Sequence, residues 1–401
     1  MSRAIKHGPS HASLLRDVSA TNVSPARSKL DAIVVPAGRP ASALQEVITL
    51  SANLGVPLVV LCSLQAQVEH VRQRVEDTFG ARALVVDVSP GYQLPFRPQT
   101  SSGDFTKASA DRSSDLSTKR NIGLLLGRML GWKKILFVDD DISQFRRAHV
   151  EKLSGFLDFR PVASMVSRDF PDNSVVCHAR RLAGFKQDVF VSGAALGVNL
   201  QDPKLSFFAD IYNEDWFFFA KHAAERSLPK IGEVRQAKYR PFADTRRAAR
   251  EEFGDLLAEG LYALFESTPG WSFKEQLAMV MRENYWQDFK DIRLDTIVET
   301  SKALETTQLN ASPMDYLTML DAQESLEEAK KWANLITPGL CVEFIAEWQQ
   351  DEARWQKFLL DLPLARTAND ALAVLDLPEG VSCGYGISTT YVDAQANLEP
   401  A

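Results

Sequence analysis

The sequence predicts an α/β fold: a mostly parallel, doubly wound sheet followed by a mainly helical C-terminal region. Three observations lead there. Short, continuous apolar runs rich in Val, Ile and Leu alternate with helix-spaced segments through the first 140 residues, the pattern of strands covered on both faces. Beyond Asp244 these runs give way to apolar residues at helical spacing with acidic or polar outer faces. The 401 residues are 45% hydrophobic and include 22 Phe, 7 Trp and 8 Tyr, enough apolar surface for a large core.

Taken in order, residues 1–29 are rich in Ser, Ala, Arg and His without an apolar period, and predict a disordered leader rather than a secretory signal. Residues 31–36 form the first strand, and Pro40 opens a helix carrying Ala43, Leu44, Val47, Ile48 and Leu50. A second strand follows at 56–61, a helix at 65–79 and a third strand at 83–88. Residues 89–118 are dominated by Ser, Thr, Asp, Gly and Pro. A loop that long inside a compact domain is usually functional, and this one is a candidate to order over a bound ligand. Thr118 is expected to cap a helix reaching Leu130, with Gly131 as its stop. The fourth strand, 134–138, ends at Asp139-Asp140-Asp141. Further strands are expected at 162–166, 174–178 and 189–193. Helices are expected at 244–267, 272–304, 313–335, 340–360 and 366–375. The organisation is thus a leader (1–29), an α/β domain (30–243) and a helical domain (244–401).

Composition narrows the function classes. The net charge is −7, and residues 301–401 alone hold 16 acidic against 6 basic side chains, whereas a nucleic-acid binder would concentrate a basic face. No apolar run approaches the ~20 residues of a membrane helix. Cys62, Cys177, Cys341 and Cys383 lack CxxC spacing and read as reduced core thiols of a cytoplasmic protein.

Ligands of open parallel sheets bind beyond the carboxyl ends of the strands, which directs attention to the three aspartates. Residues two apart on an extended segment share a side, so Asp139 and Asp141 converge. Their repulsion calls for a cation between them, and a hard divalent ion with oxygen ligands, Mn2+ or Mg2+, fits. One aspartate of the three serves equally as a helix cap. Asn213-Glu214-Asp215-Trp216, followed by three Phe, sets carboxylates against aromatic surface, where a general base is tuned; it reads equally as an ordinary helix start. Lys119-Arg120-Asn121 at a helix N-terminus suits an anion or a solvated surface.

In this order, with the small-residue turn Ser192-Gly193-Ala194-Ala195 between the aspartates and the Glu-Asp pair, residues 30–240 resemble a glycosyltransferase of the A-type (nucleotide-diphospho-sugar transferase) fold, family-2-like. The resemblance implies a hexosyltransferase-like enzyme taking a nucleoside-diphosphate sugar donor and a hydroxyl acceptor. Pro36, Ala37 and Arg39 would line the nucleotide pocket, Asp87 would face the base, and Lys119 and Asn121 would flank the nucleotide. Asp139 and Asp140 would contact the donor, and Asp141 with Asp139 would hold the metal. Gly193 and Ala194 would lie under the sugar, and Asp215 would be the base with Glu214 beside it. The family's later His ligand has no counterpart. Arg235-Gln236-Ala237-Lys238-Tyr239-Arg240 stands in its stretch, and Arg235 or Arg240 would meet the diphosphate instead. Ala37-Gly38-Arg39 leaves a sugar-phosphate nucleotidyltransferase as an alternative, and a non-catalytic nucleotide-sugar-binding protein is a third. The helical tail is read as a lid over the acceptor or as a homodimer surface.

Overall fold

In a computed structural model, residues 11–23, 26–168, 174–186, 191–308 and 312–384 are described. The apolar runs become strands: β1 (Leu15–Asp17), β2 (Ala32–Ala37), β3 (Leu58–Cys62), β4 (Arg82–Asp87), β5 (Lys134–Val138), β6 (Ile142–Ser143), β7 (Val162–Arg168), β8 (Val191–Asn199), β9 (Leu228–Gln236) and β10 (Val381–Gly384). They join one sheet in the order β1-β9-β7-β8-β5-β2-β3-β4-β10, with β6 paired to β9. β2, β3, β4 and β5 are mutually parallel; β8 runs antiparallel to both β5 and β7, and β10 antiparallel to β4.

The chain moves from β2 outward through β3 to β4 and then returns to lay β5 on the other side of β2. That reversal makes the β2/β5 boundary a topological switch point, where open α/β sheets form their ligand crevice. Both strands are buried throughout, so only the residues just past their carboxyl ends are available to a ligand.

The helix Leu116–Met129 packs beneath this boundary and is buried over most of its circumference. A side chain at Gly123 would land 2.8 Å from Phe137 and 2.9 Å from Val34. The missing Cβ lets this helix approach the sheet closely, which brings its first polar turn under the strand ends.

Several expectations are corrected. The leader is not wholly disordered: β1 pairs in parallel with β9, and His11 is buried beside Glu259 and Glu266; residues 1–10 and 24–25 lie outside the described residues. Residues 174–178 are not a strand. Ser174 accepts the Cys177 N–H and caps the helix Val175–Leu182, whose Val175, Val176 and Ala179 bury against helices of the C-terminal region; adjacent Val residues mimic a strand, but the cap and helical burial prevail. The strand expected at 189–193 is β8, starting at Val191 and running to Asn199, with residues 189–190 outside the described residues. β9 has no counterpart among the expected strands, because Pro229 and Gly232 interrupt its pattern. The 272–304 helix is two, Phe273–Val280 and Glu283–Gln308.

The stretch 89–118 is also not structureless. It holds the helix Gly103–Ala108 and is pinned by the C-terminal helices. Asp351 accepts the N–H groups of Gln99 and Thr100 and the Thr100 hydroxyl, each at 2.9 Å, and Trp332 donates to the Ala108 carbonyl at 2.5 Å. Phe96 packs edge-on against Trp355 at 5.1 Å. The largest apolar cluster accordingly runs from Val34, Val59 and Phe137 in the sheet to Phe344, Trp348 and Trp355 in the tail. The tail also returns a strand, β10, to the sheet.

All four cysteines are buried and unbridged; burial pushes the Cys62 and Cys177 thiols up to about 12. Among the described residues no helix is long and apolar enough to cross a membrane.

Candidate active site

The site begins where β2 and β5 end. Gly38 and Arg39 follow β2, and both of their N–H groups donate to Asp140 Oδ2 at 2.7 Å. The Arg39 guanidinium pairs with Asp140 Oδ1 through Nη1 and with Asp141 Oδ2 through Nη2 at 3.0 Å. Gln236, at the end of β9, donates to Asp141 Oδ2 at 3.3 Å. The two carboxylates are 6% and 3% exposed, whereas the Arg39 side chain is 46% exposed. Asp140 is therefore the capping aspartate, closing the turn after β2.

Asp139 faces a different cation. Its carboxylate accepts Arg120 Nη2 at 2.8 and 3.0 Å, and its N–H donates to the Ala194 carbonyl at 3.0 Å. The other arm of the Arg120 fork, Nη1, donates to Glu214 Oε1 at 2.5 Å, and the guanidinium centre lies 5.4 Å from the Phe208 ring centroid. Asp215 closes the group: Oδ2 accepts the Gly193 N–H at 2.5 Å and Oδ1 the Trp216 N–H at 2.9 Å.

Local structure explains how distant residues meet. The register between β7 and β8 slips around Gly193, and Ser164 Oγ fills the bulge by donating to the carbonyls of Ser192 and Ala195. A side chain at Gly193 would lie 2.6 Å from Arg120 Nη1, so only glycine lets β8 pass directly over the guanidinium. Asn213 adopts a left-handed conformation (φ 62°) fixed by its bond to Asp255 at 3.0 Å, and this turn aims Glu214 and Asp215 at Arg120.

One buried guanidinium thus faces three carboxylates, Asp139, Glu214 and Asp215. Burial raises the pKa of both Glu214 and Asp215; Arg120 opposes the rise, while repulsion from Asp215 adds to it at Glu214 and repulsion from Asp139 adds to it at Asp215. Glu214 is pushed up to about 7, which suits proton exchange there near neutral pH, and Asp215 is shifted in the same direction.

The basic triplet diverges, as three consecutive helical positions must. Lys119 is buried and donates to the Ala37 carbonyl at 2.7 Å and Ser63 Oγ at 2.6 Å, with Asp115 at 3.0 Å. Asn121 bonds both backbone groups of Phe208. Pro36 and Ala37 are buried in β2, where the Ala37 carbonyl accepts from Lys119. Asp87 ends β4 exposed, and Arg240 is exposed beyond β9; among the described residues neither makes an ion pair with the cluster. Arg235 lies on β9, half-buried, 3.8 Å from Glu233.

A divalent cation would answer the repulsion of Asp139 and Asp141, but the donor set does not fit one. Arg120 and Arg39 already supply the countercharge, both Asp139 oxygens point at Arg120, and among the described residues no three acidic, His or Cys side chains cluster as metal ligands. Each of the two aspartates expected to hold Mn2+ or Mg2+ pairs with an arginine in this structure, Asp139 with Arg120 and Asp141 with Arg39.

Gln236 and Ser63 are site residues without a role in the sequence reading, and Arg120 enters it only as part of a basic triplet suited to an anion, not as the partner of Asp139 and Glu214. The one available signal is a charged triplet leading directly into an apolar helix.

No protein-family model matches the chain. No curated protein matches it. Among solved structures it is similar to the mannosyltransferase PcManGT from Pyrobaculum calidifontis in complex with GDP-Man and Mn2+, with a TM-score of 0.37 and 11% identity over 83% of this chain and 90% of that one. Similarity that loose transfers no residue from one protein to the other, so the chemistry of the site has to come from this chain's own side chains.

Proposed function

We propose that the chain is a glycosyltransferase that moves a sugar from a nucleoside-diphosphate sugar to an acceptor hydroxyl, with inversion at the anomeric carbon. The observation that carries the reading is the meeting of Arg39 with Asp140 and Asp141 at the β2/β5 switch point, beside Arg120, which gathers Asp139 and Glu214, and Asp215, which is held by the Gly193 N–H of β8. A cation at the mouth suits a diphosphate, and buried carboxylates of raised pKa suit a base.

In this reading the acceptor oxygen bonds to the anomeric carbon as the bond from that carbon to the β-phosphate oxygen breaks. The electron pair leaves with the nucleoside diphosphate, and the hydroxyl proton passes to Asp215. Each Asp215 oxygen accepts one N–H and retains a second lone pair. Glu214, held by Arg120, keeps Arg120 oriented and stands next to the base. No step is assigned to a metal.

A thermal-shift panel of nucleoside diphosphates and their sugars tests the donor. A ligand at ~100 times its Kd adds ~2.7 kcal/mol, a conspicuous shift. Asp215→Asn is expected to keep the shift and lower turnover by about 100-fold or more. Binding by the unmodified chain without turnover over a broad acceptor set would favour the non-catalytic nucleotide-sugar-binding alternative, and no shift with any nucleotide would overturn the proposal.

A further inference from the structure

We infer that this site holds its diphosphate through Arg39 and binds nucleoside diphosphates without a divalent cation; this rests on the nucleotide-sugar reading above.

The order of charges from solvent inward is the deciding observation. A metal bridging protein to diphosphate must reach carboxylate oxygens from the solvent side. Here Asp140 and Asp141 are almost fully buried while Arg39, lying over them, is nearly half exposed. What an arriving anion meets is the guanidinium. The two aspartates behind it are consumed in holding it: Asp140 accepts both arms of the turn and one arm of the side chain, and Asp141 accepts the other.

Arginine offers five N–H donors, of which two are engaged here, so donors remain on the exposed side for phosphate oxygens. Guanidinium binds phosphate in a two-pronged geometry that a buttressed, pre-oriented side chain reaches at little entropic cost. Asp140 and Asp141 raise the Arg39 pKa against the effect of burial, so the charge persists at every working pH. The location also fits: Arg39 follows β2 and Asp140 and Asp141 follow β5, the strands on either side of the switch point.

Calorimetric titration of the full chain with GDP, UDP and inorganic pyrophosphate, in EDTA and again in Mn2+, tests the inference. The expected result is a Kd in EDTA within about threefold of that in Mn2+. Arg39→Ala should weaken binding by about tenfold or more in both buffers, and Arg39→Lys, which keeps the charge without the fork, should lie between. Binding seen only with Mn2+, or an unchanged Kd in a folded Arg39→Ala, would overturn the inference and leave the nucleotide-sugar reading standing. Absence of binding in both buffers would instead sink that reading and this inference with it. The EDTA comparison on the unmodified chain decides the matter even if the Ala variant does not fold.

Discussion

Arg120 shows what a buried charge demands of its neighbours. It is 2% exposed, and three carboxylates and an aromatic face surround it. Gly193 is the residue that permits this, since a methyl there would sit 2.6 Å from Nη1. Gly193→Ala should push the guanidinium off Glu214 and Asp139, leaving charges buried without partners at a cost of roughly 3–5 kcal/mol. A Tm lowered by several degrees together with a turnover loss is the expected outcome; full activity with an unchanged Tm would show that Arg120 relaxes freely.

At the scale of one element, the helix Arg246–Ser267 organises the interior behind the site. Glu251, Glu252, Asp255 and Glu259 are all buried on it, and each has a partner: the Val175 N–H, Arg293, Arg293 with Asn213, and His11. An acidic helix face normally turns to solvent; this one is inward because its cations come from other segments. His11 also packs edge-on against Trp216 at 5.3 Å and Tyr262 at 5.6 Å, so the N-terminal segment braces the residue after Asp215.

That bracing is pH-dependent. Burial disfavours charge on His11, but Glu259 and Glu266 outweigh it and raise its pKa from 6.5 to about 9. A folded-state pKa above the unfolded one stabilises fully below about pH 6.5, and the contribution is lost as pH rises through about 9. At ~1.4 kcal/mol per unit the contribution is about 3 kcal/mol. The Tm of the parent should therefore fall between pH 6.5 and 9, and His11→Gln should flatten that slope; equal slopes in the two proteins would refute the assignment.

At the scale of the molecule, the helical region and the sheet share one core, and the Ser- and Pro-rich connection of the sheet is stapled to the tail. Asp351 is the staple, fully buried and bonded to two backbone N–H groups. Asp351→Ala leaves both amides unpaired, and a loss of roughly 2–4 kcal/mol is expected, with new protease cleavage between residues 95 and 110. Because these contacts need no ligand, the parent should resist cleavage there with or without nucleotide. Easy cleavage of the parent that nucleotide suppresses would restore the picture of a ligand-ordered loop.

The identity of β2, β3, β4, β5 and β7, the carboxyl-edge position of Asp139-Asp140-Asp141 and the adjacency of Glu214 and Asp215 were determined by local sequence. Each depends on patterns a few residues long: continuous apolar runs, their abrupt polar ends, and adjacent carboxylates before aromatics. Which cation answers which carboxylate was decided only by tertiary structure. Arg39 lies about a hundred residues from Asp140, and Arg120 is ninety-four positions from Glu214. Coulombic need is visible in a sequence as an excess of charge, but its satisfaction depends on distance in space. Three aspartates alone called for a countercharge; that Arg39 and Arg120 come to them is visible only in the fold. The same reason hid β1 and the buried acidic face of the Arg246–Ser267 helix, whose partners come from remote segments, while β9 was hidden by Pro229 and Gly232 within its own pattern.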